Sequence, residues 1–180
     1  PNVFRRLFAE GAFSAAFVPM FSKRLNGEGG IEEARSFSDD VLSVFLPVLI
    51  ALSAIMMLAM PGVIWLLSDK PVDPATFDIA VAFARIMFPY LAAMSLVAML
   101  AGILNSLRRY FLAALAPVLL NVVLVTGLIV SGYLSLSAPD IGEVLGWSVT
   151  LSGLLQLSLL VWALRREGFS LGFVRPRLTP

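Results

Sequence analysis

The sequence has no cysteine and no histidine among its 180 residues. The absence of cysteine excludes disulfides, thiol chemistry and thiolate metal ligands, and the absence of histidine excludes imidazole ligands and histidine acid–base catalysis. There is also no GxxxxGK[ST] loop, GxSxG turn or HExxH helix. No motif therefore indicates an ATPase, a hydrolase or a metalloprotease. We expect no metal ion, no cofactor and no enzymatic activity.

Charged residues are scarce, at 14% of the chain, whereas hydrophobic residues make up 59% and the mean hydropathy is +0.91. Five apolar runs follow one another, each long enough to cross a bilayer core as a helix. They cover residues 3–22, 41–67, 79–104, 111–133 and 144–164. A soluble domain would have to bury helices that are apolar on every face, and a membrane β-barrel would show short alternating segments. The sequence predicts an all-α, polytopic transmembrane helix bundle with five spans.

Basic residues outside the spans alternate between connections. The first and third connections and the tail are basic, whereas the second is mainly acidic and the fourth has no Lys or Arg. The basic residues are Lys23, Arg24, Arg35, Arg108, Arg109, Arg165, Arg166, Arg175 and Arg177. The positive-inside rule places these connections in the cytoplasm, together with the tail at residues 165–180. Asp39 and Asp40 lie at a cytoplasmic helix entry, where we expect them to cap the start of the second span.

The first span carries ionisable side chains in an otherwise apolar segment. Asn2, Arg6, Glu10 and Ser14 follow one another at i, i+4 steps on one helical stripe, with Arg5 at its edge. Two interpretations remain open. In the first, Arg6 and Glu10 form an ion pair while Arg5 snorkels to the interface. In the second, the stripe is an anion site, because guanidinium groups bind phosphate by planar, bidentate hydrogen bonds.

Arg85 is a further ionisable residue, about two turns into the third span and one turn before Pro89. It either snorkels to the outer interface or contacts a substrate or an acidic partner. Prolines that can kink helices lie in or beside every span but the last. They are Pro19, Pro47, Pro61, Pro89 and Pro117. Such kinks suit a protein that changes shape, although static membrane bundles contain them too.

Three stretches together resemble the MurJ (MviN) family of lipid II flippases, within the multidrug/oligosaccharidyl-lipid/polysaccharide exporter superfamily. The most specific is PNVFRRLFAEGAFS at residues 1–14; the others are RIMFPY at residues 85–90 and GILNS at residues 102–106, which leads to APVLLN at residues 116–121. The resemblance covers essentially the whole chain. It implies that residues 1–180 form helices two to six of fourteen, within a MATE-like N-terminal transmembrane lobe. The absence of an initial methionine favours the same expectation of a segment from a longer protein.

The resemblance implies a bacterial inner-membrane transporter that flips lipid II by alternating access. Lipid II is an undecaprenyl-diphosphate-linked disaccharide-pentapeptide, and the cationic cavity of the transporter would bind its diphosphate. One arginine of the family's cavity set matches Arg5, and Asn2, Arg6 and Glu10 belong to the same string. Ser14 and Arg85 are further candidate substrate-binding residues. The expected partners are lipid II, membrane lipids and proteins of cell-wall synthesis and division, and no nucleic acid is expected.

Other functions remain open. The chain could belong to an exporter of another polysaccharide-lipid or of a drug in the same superfamily. It could also be a non-transport membrane scaffold for cell-wall synthesis, with Arg6 and Glu10 as a structural pair. An enzyme of lipid-phosphate chemistry is disfavoured, because there is no histidine and because helix capping explains Asp39 and Asp40 more simply.

Overall fold

The structure, a computed structural model, describes residues 12–68 and 73–172, and these residues form five helices without any strand. The helices are α1 (Ala12–Leu25), α2 (Gly30–Leu67), α3 (Pro74–Ser106), α4 (Tyr110–Tyr133) and α5 (Ala138–Arg166). Within the described residues, α2 to α5 are long and apolar enough to cross a membrane. The predicted all-α, polytopic helix bundle is confirmed.

Helix α2 has 38 residues and is therefore about 57 Å long, much longer than the roughly 30 Å hydrocarbon core. It begins at Gly30, upstream of the apolar run, because no proline or glycine interrupts residues 31–46. Acidic residues in the first turn favour this start through the helix dipole. Asp39 and Asp40 consequently lie in the third turn. The prediction that they cap this helix is wrong.

The other helix ends carry local stop and start signals. Helix α3 begins with Pro74 after Asp73, whose carboxylate accepts a hydrogen bond from the Thr76 amide at 3.4 Å. It ends in a tight turn in which Arg108 has a φ of 61° and the Arg109 amide donates to the Leu104 carbonyl oxygen at 2.8 Å.

Helix α5 ends in a similar turn. Gly168 has a φ of 74°, and the Phe169 amide donates to the Leu164 carbonyl oxygen at 3.0 Å. A left-handed residue followed by this backbone bond is a common helix stop, and glycine adopts it without strain. The turn directs the chain after α5 back across the end of the bundle.

Helix α3 is central and packs against each of the other four helices. The most enclosed large side chains meet where α3 and α5 end. They are Phe21, Met99, Ile103, Leu104, Leu160, Leu164 and Phe169. Many large apolar side chains are exposed elsewhere, among them Leu58, Trp65 and Phe111. Such a surface suits contact with lipid or with further helices and not with water.

The basic connections lie at one end of this bundle. Arg109 between α3 and α4 forms an ion pair with Glu167 after α5, with 2.9 Å between Nη2 and Oε2. Arg35 near the start of α2 donates through Nε to the Ser170 carbonyl oxygen at 2.8 Å. The start of α2, the third connection and the residues after α5 are therefore on the same side, as alternating crossings by α2 to α5 require.

We predict that Lys23 and Arg108 face the cytoplasm and that Asp73 and Pro139 face the outside, because of the alternation of basic loops. Residues 1–180 contain no cysteine, so a single cysteine placed at each position is the one thiol of this segment; any cysteine elsewhere in the full-length protein is first replaced by serine. Impermeant maleimide should label positions 73 and 139 in sealed cells, and positions 23 and 108 only after permeabilisation. Labelling at position 108 with none at position 73 would reverse the orientation.

Candidate functional site

The predicted anion stripe lies largely outside the described residues, which do not include Asn2, Arg5, Arg6 or Glu10. Ser14 lies in the first turn of α1, and its backbone is helical. The stripe therefore stays a prediction. What the structure adds is the way in which α1, the helix that follows it, is held in the bundle.

Helix α1 is held against α2 and α3 by aromatic packing and a close approach to a glycine. Phe17 is stacked on Phe37 of α2 with ring centroids 5.6 Å apart. Gly102 of α3 has so little space beside it that a Cβ there would lie 2.7 Å from a methyl carbon of Val18. The hydroxyls of Ser22 and Ser106 lie 3.1 Å apart and are hydrogen-bonded. These contacts fix the position of α1 on α3.

Arg85, the other predicted site residue, is bonded to the backbone of a neighbouring helix. Its Nε donates to the Met57 carbonyl oxygen of α2 at 2.9 Å, and its side chain is otherwise exposed. The ion pairs between described residues join Arg24 to Glu33 and Arg109 to Glu167, so no carboxylate of the described chain pairs with Arg85. Sequence reasoning did not identify this partner; its one local signal is Pro61, four residues after Met57, and the sequence does not show which helix would supply a donor.

Helices α3 and α5 approach closely and carry two polar features. Thr150 of α5 donates through its hydroxyl to the Ile86 carbonyl oxygen of α3 at 2.5 Å. Near it, a Cβ added to Gly153 would lie 2.9 Å from Tyr90 Cδ2. Gln156, one turn further along α5, is fully buried, and neither polar atom of its amide has a hydrogen-bond partner among the described residues. An amide in such a place lowers stability, because its desolvation is not compensated.

An apolar crevice of about 520 Å³ lies between the end of α2 and the first half of α3, beside the middle of α4 and α5. Helix α2 contributes Met56, Met60, Val63, Ile64 and Leu67, and α3 contributes Ala84, Met87, Phe88, Tyr90 and Leu91; Leu120, Leu124 and Val149 complete the lining. None of the described residues that line it is charged. The described lining therefore provides no charge-assisted hydrogen bonds that would compensate the desolvation of a diphosphate.

The residues after α5 are tied to the start of α2. Arg35 bonds the Ser170 carbonyl oxygen and hydroxyl through Nε and Nη2, and the Asp39 carboxylate accepts from the Gly172 amide at 2.7 Å. Phe169 is buried edge-on against Phe21, with centroids 5.9 Å apart. Asp39 therefore binds the chain that follows α5. No sequence pattern indicates this contact, because the Ser170 carbonyl oxygen and the Gly172 amide are backbone atoms.

Acidic side chains are not clustered in the described parts of the chain: residues 12–68 and 73–172 contain no group of three or more carboxylates placed to hold a metal ion. The site candidates of the described chain are therefore the polar contacts of apolar, proline-containing helices. The ionisable stripe predicted for residues 1–14 is the separate candidate for anion binding.

Comparison with known proteins gives a family match over nearly the whole chain. The family model described as lipid II flippase MurJ matches residues 1–179. A protein of Rhizobium meliloti (strain 1021) named probable lipid II flippase MurJ is 50% identical over 182 residues, covering 100% of this chain and 34% of the relative. A Rhizobium tropici protein with the same name is 44% identical, again covering 100% of this chain and 34% of the relative.

A more distant relative from Burkholderia cenocepacia, named lipid II flippase MurJ, is 34% identical over 171 residues, covering 92% of this chain and 32% of its own length. The chain thus spans about a third of the length of the curated relatives it matches.

Proposed function

The chain belongs to the lipid II flippase MurJ family, and we propose that it forms part of the N-terminal transmembrane lobe of a transporter that moves lipid II from the inner to the outer leaflet. It is a multi-pass protein of the bacterial inner membrane. The observation that carries the proposal is the arginine-bearing string at residues 1–14, in an otherwise apolar chain that matches this family over its length.

The physical problem is the charge of the diphosphate. It cannot cross roughly 30 Å of hydrocarbon without its hydration being replaced. Arg5, with Arg6 beside it, would replace water by charge-assisted, bidentate hydrogen bonds from a wet cavity wall. Asn2, Glu10 and Ser14 would share this wall. Binding must be weak enough for release, so a few arginines suit transport better than a sealed anion cage.

The remaining parts of the proposal concern mechanism and partners. The relatives are named as flippases, and we propose transport by alternating access without enzymatic chemistry or a cofactor. Prolines inside α1 to α4 favour bends that would suit such a change of shape. Lipid II is the proposed substrate. Membrane lipids and cell-wall synthesis and division proteins are the proposed partners, with no nucleic acid.

The test is a depletion experiment with the full-length protein in its native host. The fraction of lipid II in the outer leaflet is measured with an impermeant reagent that modifies its head group. Depletion should lower this fraction several-fold while total lipid II rises, and re-expression should restore it. An unchanged fraction would contradict the proposal. If another polysaccharide-lipid or a drug accumulated instead, the exporter alternative would hold; if synthesis proteins were mislocalised, the scaffold alternative would.

A further inference from the structure

Helix α2 contains a backbone carbonyl that its own helix cannot satisfy. In an α-helix each amide donates to the carbonyl oxygen four residues earlier. Pro61 lies inside α2, four residues after Met57, and has no N–H to donate. The Met57 carbonyl oxygen therefore loses its helical partner, in a segment apolar enough to cross a membrane. An unpaired backbone group is especially unfavourable there, because lipid offers no replacement donor.

Arg85 of α3 supplies the missing donor. Its Nε lies 2.9 Å from the Met57 oxygen and donates to it across the interface between the two helices. A guanidinium is always protonated, so the bond is charge-assisted and persists at any physiological pH. Arg85 thus donates to the same carbonyl oxygen, that of Met57, which Pro61 leaves without its helical donor.

Arg85 also lies one turn before Pro89, where a proline is expected to kink its own helix. Pro89 lies four residues after Arg85 in α3 and has no N–H, so the Arg85 carbonyl oxygen also lacks its usual helical donor. The next carbonyl, that of Ile86, accepts the Thr150 hydroxyl of α5 at 2.5 Å. Two side chains therefore join the kinked turns of α2 and α3 to each other and to α5.

We propose that Arg85 is a positioning residue that braces the Pro61 kink of α2 against the Pro89 kink of α3. Without the brace, the Met57 carbonyl oxygen has no donor, and the turn of α2 before Pro61 loses its polar link to α3. Met60, Val63, Ile64 and Leu67 around this kink line the apolar crevice, so the brace also sets the crevice width. The inference concerns how the helices are held together and goes beyond the proposed substrate.

A double-mutant cycle in the full-length protein tests the brace, with thermal unfolding in detergent as the measurement. Arg85→Met retains an apolar stem without a donor and should lower Tm by several degrees. Pro61→Ala restores an amide that can bond the Met57 oxygen. In the Pro61→Ala background, the Tm loss caused by Arg85→Met should therefore be less than about a third of the loss in the wild-type background. Equal losses of Tm in both backgrounds would overturn the proposal.

Two further variants separate the brace from other roles. Pro47→Ala is the matched control, because it restores an amide in the same helix, but this amide bonds the Ser43 carbonyl and not the Met57 carbonyl. In the Pro47→Ala background, Arg85→Met should therefore cause its full loss of Tm. Arg85→Lys keeps a donor and should retain at least half of the difference in Tm between wild type and Arg85→Met. A Lys variant no better than Met would also contradict the brace. These measurements need no transport assay, so they stand or fall separately from the flippase proposal.

Discussion

Replacing Arg5 by alanine in the full-length protein is expected to abolish lipid II translocation and support of growth. A hydrogen bond to a charged group contributes about 1.5–3 kcal/mol, so the loss should weaken diphosphate binding roughly 10- to 100-fold. Lysine should rescue poorly, since it keeps the charge but not the planar fork that matches phosphate. The measurements are growth of a strain depleted of its own flippase and the outer-leaflet fraction of lipid II.

The matched control for Arg5 is Arg24, an arginine in the last turn of α1. Arg24 lies 3.8 Å from Glu33 in a partly exposed ion pair and over the Phe37 ring at 4.0 Å. An exposed pair contributes only about 0–1 kcal/mol, so Arg24→Ala should leave translocation within about twofold of wild type. Normal translocation by an Arg5→Ala protein, present at wild-type level, would remove Arg5 from the substrate site and favour interfacial snorkelling.

Replacing Gly153 by leucine is expected to prevent the close packing of α3 and α5. An added Cβ would lie 2.9 Å from Tyr90 Cδ2 and 3.2 Å from Ala93 Cβ, before any further leucine carbon is placed. Overpacking of this kind lowers the free energy of unfolding by about 3 kcal/mol. Since α3 and α5 pack extensively against each other, the yield of folded protein and its Tm in detergent should both fall sharply.

Gly62 provides the comparison for Gly153, since both are helical glycines in apolar segments. A Cβ at Gly62 would meet nothing within 4 Å, so Gly62→Leu should leave the folded yield nearly unchanged. If both leucine variants gave the same yield, the close approach at Gly153 would not be important for folding.

The transmembrane character of the fold could be predicted because it depends on composition. The apolar run at residues 111–133 nearly coincides with α4, since charged or turn-forming residues stand at both of its ends. The start of α2 could not be found in this way. Its polar residues 30–40 continue the helix on the water side, where hydropathy carries no signal and only the absence of helix-breaking residues indicates continuation.

The sequence could predict which residue types belong to the candidate site, but not which atoms they contact. Charge in an apolar span marked Arg85 as unusual, but its partner is a carbonyl oxygen 28 residues away in sequence. Counting four residues back from Pro61 would have identified Met57 as an unpaired acceptor; which helix supplies the donor depends on tertiary packing. Likewise, the capping role predicted for Asp39 is wrong because α2 begins at Gly30, and its bond to the Gly172 amide depends on the path of the chain after α5.

The tie between the start of α2 and the residues after α5 has an evolutionary consequence. On the far side, two of the bonded atoms are the Ser170 carbonyl oxygen and the Gly172 amide, which nearly any residue would provide. On the α2 side, these two bonds and a third, from Arg35 to the Ser170 hydroxyl, depend on the side chains of Arg35 and Asp39. Mutational drift at position 172 should therefore be tolerated, and drift at position 170 should cost only the hydroxyl bond, whereas drift at positions 35 and 39 should be purged.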